Sequence, residues 1–81
     1  MEINSGIYMI RNLCNQKVYI GQSVDVQDRL AHHKSSLKHD RHENSYLQRA
    51  YNKYGVDGFE FVVLEYCAED QLDERERYYI A

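Results

Sequence analysis

Two tripeptides near the N-terminus, Gly6-Ile7-Tyr8 and Tyr19-Ile20-Gly21, constrain this chain more than any other feature of it. Each sets a glycine beside an aliphatic residue and a tyrosine. Each also lies in a segment that alternates with period two and is rich in Ile, Val and Tyr, so residues 5–12 and 17–21 are predicted to be strands. Only Leu13-Cys14-Asn15-Gln16 separates them, the length of a hairpin connection. Glycine weakens a strand, and one at Gly6 and another at Gly21 mark places where backbone or ligand approaches closely.

Parity puts Ile7 and Met9 on one face of the first strand and Gly6, Tyr8 and Ile10 on the other. On the second strand Val18 and Ile20 oppose Lys17, Tyr19 and Gly21. With the aliphatic sets turned to the core, Tyr8 and Tyr19 are expected together on the opposite face. In a chain with eight tyrosines, two adjacent phenols can be a packed cross-strand pair and nothing more. The flanking glycines favour a site.

Ser23 is expected to cap a helix with Asp25 in its first turn. Val26, Leu30 and Leu37, with His33 or Lys34 filling the gap, carry an apolar stripe to about Lys38. Residues 39–44 read as a polar loop. Leu47, Ala50, Tyr51 and Tyr54 then recur at i, i+3, i+4 and i+7, and Gly55 stands where a C-terminal glycine cap belongs. Residues 59–66 are a third strand, and Glu69 or Asp70 opens a last helix running to Ala81. The order ββααβα predicts an α+β fold, a small three-stranded antiparallel sheet flanked by helices, in one domain over residues 1–81.

The net charge of −3 argues against a nucleic-acid partner at first sight. Its distribution does not. Residues 29–53 hold six Lys and Arg against two carboxylates, together with all four histidines, whereas residues 54–81 hold eight carboxylates against two arginines. A basic middle can present one phosphate-facing surface on an acidic protein, although two solvated helix faces of opposite sign would look the same. No apolar run has the length of a membrane span and no cationic apolar leader precedes Gly6, so neither membrane association nor secretion is expected. Cys14 and Cys67 are isolated, which favours a reduced, cytoplasmic setting and small packed side chains.

Three positions could carry chemistry. Arg29 and His33 are four apart and stack on one side of the first helix. Arg29 is either a snorkelling surface residue or a bidentate phosphate clamp, and His33 either a satisfied core histidine or a donor to a leaving oxygen. Glu76 is the sharpest anomaly: Leu72, Glu76, Tyr79 and Ile80 fall at i, i+4, i+7 and i+8, so a carboxylate stands where an apolar residue is expected. It needs an ion pair, with Arg29 as one candidate partner, or a cation. Glu74 projects toward solvent in this register. His39, Asp40 and His42 form a polar cluster too poor in ligands to be a strong zinc signal.

Taken together, the two tripeptides resemble the signature of the GIY-YIG nuclease family, a small metal-dependent DNA-cutting module. Tyr8 and Tyr19 match its two tyrosines, Arg29 its early helical arginine, and His33 the histidine one turn on. His42 fits a loop histidine of the homing-endonuclease branch. Residues 44–59 and Leu64-Glu65 also resemble that branch, and Glu76 before Tyr79-Ile80 matches the metal-binding glutamate. The resemblance implies an endonuclease that hydrolyses DNA phosphodiesters with one Mg²⁺, for which Mn²⁺ can substitute. Tyr8 would act with water as general base; Tyr19 and His33 would position water and phosphate. Arg29 would stabilise the pentacovalent charge, and Glu76 would hold the metal near the leaving oxygen. Lys17, Lys34, Arg41, Asn44 and Arg49 are the expected DNA contacts, and His42 completes the catalytic set. A phenol is a weak base at neutral pH, so a cation near it is required, from Lys17, Arg29 or the metal. Many members carry an asparagine past the last helix that this sequence does not reach, which implies a domain truncated at its C-terminus, working with a separate DNA-binding region as a monomer or transient dimer. The alternatives are a non-catalytic DNA-binding module of the same fold, a repair or restriction nuclease of the family, and an interaction domain using its tyrosine-rich face.

Overall fold

The computed structural model describes residues 2–80. Its element order is β1 (Gly6–Asn12), β2 (Val18–Ser23), α1 (Val26–Lys38), α2 (Ser45–Tyr54), β3 (Phe59–Tyr66) and α3 (Leu72–Ile80), with single 3-10 turns at Val56–Gly58 and Glu69–Gln71. The expected ββααβα order and third strand are therefore present. Ala81, where the last helix was expected to end, lies outside the described residues.

The sheet is antiparallel throughout, with β1 between β2 and β3. Tyr8 faces Gly21 and Ile10 faces Tyr19, so the two signature tyrosines do share a face. That face is not the open one that parity suggested. Ile10 lies on it and joins Leu30, Leu37, Leu47 and Phe59 in the larger buried cluster, under α1 and α2. Ile7, on the other face, packs with Cys67 and Leu72 of the smaller cluster under α3. Helices cover both faces, so the aliphatic and tyrosine sides of the hairpin are both interior. Burying Ile7, Ile10, Leu37 and Leu47 almost completely contributes about 1.5–3 kcal/mol each before entropy is counted.

The hairpin connection is held by Asn12, itself buried, whose Oδ1 accepts from the backbone N–H of Cys14 at 2.8 Å. Two boundaries differ from expectation. α1 is capped by Asp25, which accepts from the N–H of Asp28, because Ser23 is still the last residue of β2 and its hydroxyl closes a local turn with Asp25 instead. α3 starts at Leu72 after a 3-10 turn, rather than at Glu69 or Asp70. Asn44 caps α2 by accepting from the N–H groups of Tyr46 and Leu47. Gly55 ends that helix at φ +79°, the left-handed region that favours glycine.

Candidate active site

Gly21 creates the room for the site. A Cβ there would overlap Cζ and Oη of Tyr8, so the bare backbone of β2 lets the phenol lie flat across the outer strand. α1 approaches this phenol from one face of the sheet. α3 packs chiefly on β2 from the other face and is tied to it by Gln22 Nε2 donating to Asp73 Oδ1 at 2.7 Å. Arg29 of α1 and Glu76 of α3 both lie near enough to bias the phenol electrostatically. Burial raises the Tyr8 pKa; Arg29 opposes that rise and Glu76 adds to it.

His33 fills the gap in the α1 stripe, half-buried, while Lys34 stays exposed. Its Nε2 lies 2.9 Å from Tyr8 Oη and its Nδ1 2.7 Å from His42 Nε2, and the two imidazoles stack with centroids 4.9 Å apart. The N–H of Asn44 donates to His42 Nδ1 at 3.0 Å. Burial first, then the neighbouring His42, Arg29 and His32, pull the His33 pKa down to about 4. Burial also lowers that of His42. Both rings are accordingly neutral at pH 7.

Glu76 is half-buried, as its place in the stripe predicted, but Ile80 is exposed and the inward side of α3 is completed by Arg75. Among the described residues the Glu76 carboxylate has no hydrogen bond and no ion pair, with Arg29 or any other cation. The contrast with Glu65 is complete. That carboxylate accepts from Arg75 Nε at 2.8 Å, from Arg75 Nη2 at 2.8 Å and from Tyr79 Oη at 2.8 Å. Hydrogen bonds from Arg75 and then Tyr79 hold its pKa below the usual carboxylate value. No local pattern announces this cluster, because its members meet only when α3 folds back onto the sheet. Glu74 is exposed, as its register required.

Tyr19 is half-buried against the larger cluster, one pair along from Tyr8. A shallow groove passes the site along α1, lined by Arg29, His32, His33, Ser36, His42 and Glu43, and continues past His39 to Arg41. Of the expected DNA contacts only Arg41 lines it. Lys34 lies over the Phe61 ring at 5.2 Å and Arg49 over the exposed Tyr46 ring at 5.2 Å. The Asn44 side-chain oxygen Oδ1 is committed to its cap. Lys17 sits at the hairpin end, four residues from Gly21 and so roughly 13 Å along the strand, which leaves Arg29 as the cation at the phenol. No group of three or more His, Cys, Asp or Glu is gathered as for a metal ion among the described residues. No helix among them is long and apolar enough to cross a membrane.

The signature now has its geometry: two tyrosines on one sheet face, a helical arginine and histidine above the first, and a carboxylate arriving from α3. The GIY-YIG catalytic domain matches residues 4–81 of the chain. The chain belongs to the GIY-YIG family. Over 80 residues it is 39% identical to intron-associated endonuclease 1 of Enterobacteria phage T4, covering 96% of this chain and 32% of that protein. Over 61 residues it is 41% identical to probable intron-encoded endonuclease 1 of Neurospora crassa, covering 75% of this chain and 19% of that protein. The chain thus spans a third or less of the length of these relatives. Its fold is that of the catalytic domain of the homing endonuclease I-TevI, with TM-score 0.80 and 38% identity over 94% of this chain and 84% of that one. The chain is a GIY-YIG catalytic domain similar to those of intron-encoded and homing endonucleases.

Proposed function

We propose that this GIY-YIG domain cuts DNA by hydrolysing a phosphodiester with a single Mg²⁺ held by Glu76. The observation that supports this is the unpartnered, half-buried Glu76 carboxylate within electrostatic reach of Tyr8, as Arg29 also is. A carboxylate in that condition fits a hard cation completed by waters and a substrate phosphate, which needs one or two protein ligands rather than a full cage. When bound, the ion supplies Lewis-acid stabilisation of charge on the leaving oxygen, and Mn²⁺ can take its place.

The chain's own residues do the rest. Arg29, exposed at the mouth of the groove, offers a planar fork to the scissile phosphate and neutralises charge as the phosphorane forms. Tyr8 Oη takes the proton of the attacking water as phenolate, its own proton having been lost to solvent. His33 and Tyr19 fix the direction from which water and phosphate meet it. His32, Ser36 and Arg41 line the path along which flanking phosphates would run.

Nicking of supercoiled plasmid at low salt tests the proposal. Nicking in Mg²⁺ and in Mn²⁺, absent with chelator and absent in Glu76→Ala, is the expected result. Nicking by folded Glu76→Ala at the wild-type rate would overturn it.

A further inference from the structure

Gln48 is buried in α2, yet α2 was expected to turn only Leu47, Ala50, Tyr51 and Tyr54 inward. Its amide is fully used. Oε1 accepts from the backbone N–H of His42 at 3.0 Å, while Nε2 donates to the Leu37 carbonyl at 2.9 Å and to Asn52 Oδ1 at 3.0 Å. Asn52 in turn donates to Asp40 Oδ1 at 3.2 Å. One side chain therefore ties the end of α1 to the loop that carries His42.

That loop sets the direction of every proton up to Tyr8. The Asn44 N–H can only donate, so His42 Nδ1 must be a bare acceptor. A neutral His42 then carries its hydrogen on Nε2 and donates to His33 Nδ1. A neutral His33 likewise carries its hydrogen on Nε2 and donates to Tyr8 Oη. The reverse direction would require His42 to accept at both nitrogens. Arg29, His32, His42, Glu43 and Tyr8 are the charged and titratable groups about His33, and His33, Glu43 and His32 those about His42; burial outweighs the opposing Glu43 at both rings.

We propose that Gln48 is a positioning residue for the nuclease reaction, holding the His42 loop so that Asn44, His42 and His33 form a one-way hydrogen-bond chain ending on the Tyr8 oxygen. The inference rests on Tyr8 being the base. Hydrogen bonding to that oxygen favours the phenolate, and it turns the phenol's own hydrogen out toward the groove.

The test compares Gln48→Met with Gln48→Glu. Both keep the volume, but only Glu keeps an acceptor for the His42 N–H. In the wild type at pH 7, long-range ¹H–¹⁵N spectra should show His33 and His42 each fixed in the Nε2–H form. In Gln48→Met the His42 signals should shift to exchange between forms. The single-turnover nicking rate per folded molecule should fall about ten- to a hundredfold, with plasmid binding retained, as for a misplaced catalytic group. Gln48→Glu should recover most of that rate. A packing role predicts the opposite order, and equal rates in Gln48→Met and wild type with unchanged His42 signals would overturn the proposal. Should Gln48→Met not fold, Asn52→Ala loosens the same amide from the exposed side; unchanged His42 signals and rate there would equally overturn it. Tyr8→Phe is measured alongside. If it still cuts, the role of Tyr8 as base is what has failed, and the histidine spectra judge Gln48 separately.

Discussion

Two glutamates, Glu65 and Glu76, approach the same helix interface and meet opposite fates. Glu65, on β3, is saturated by a bidentate Arg75 and by Tyr79, and these contacts pin α3 to the sheet. Glu76 is on α3 itself, comparably shielded, and has no partner among the described residues. A half-buried carboxylate left bare loses hydration without recompense, so folding alone would not favour it. The first carboxylate holds the architecture, and the second is the one proposed to take a cation. The same division separates the two signature glycines. Gly6 makes room for the β3 backbone at Glu65, whereas Gly21 makes room for the Tyr8 ring.

The two glutamates part most visibly under substitution, and most of all at Glu76. Glu76→Ala should slow cleavage by about a thousandfold, since a bound metal supplies several kcal/mol of charge stabilisation. Its melting temperature should match or exceed that of the wild type; unfolding on this substitution would place Glu76 with Glu65 as a structural residue. Gly21→Ala should come next, because the new methyl displaces the phenol. A loss of about a hundredfold in rate is expected with a modest loss of stability. Gly6→Ala should reverse that pattern. Its methyl meets the Glu65 carbonyl and the backbone of Tyr66, which cannot swing aside as a side chain can, so melting temperature falls steeply while the remaining folded protein still cuts. Glu65→Gln should lower the melting point by a few degrees and leave the metal dependence unchanged, since Arg75 keeps one neutral acceptor.

The smallest effect is in pH. His33 has a folded pKa of about 4, below the ordinary 6.5 of the unfolded chain, so the unfolded state binds more protons between those values. Its contribution to stability is fully present above pH 6.5 and declines as the pH falls toward 4. Cleavage, in contrast, should climb about tenfold per pH unit through neutrality, because the raised Tyr8 pKa keeps the base mostly protonated there. A rate already level through neutrality, having risen near pH 4, would instead make His33 the base.

Much of this was legible in the residues. Strand alternation, the helical stripe ending at Gly55 and the segment Phe59–Tyr66 are local patterns, and each formed as read. Glu76 stood out because it broke its own stripe. What could not be read was set by contacts between distant segments. Parity divided the hairpin residues correctly between two faces but could not say that α3 would cover the second. The start of α1 depended on how far β2 remained paired, which put the cap at Asp25 rather than Ser23. Gln48 sat beside the α2 stripe as an ordinary polar residue. Only its four-residue spacing to Asn52 hinted at a hydrogen-bonded pair.

The most direct test of the account asks where a divalent ion sits. Mn²⁺ titrated into ¹⁵N-labelled protein broadens resonances near its binding site. Loss of signal centred on Glu76, Tyr8 and Arg29, and abolished by Glu76→Ala but not by Glu65→Gln, is the predicted result. Broadening that survives Glu76→Ala, or that centres on the acidic run from Glu69 to Glu74, would contradict it.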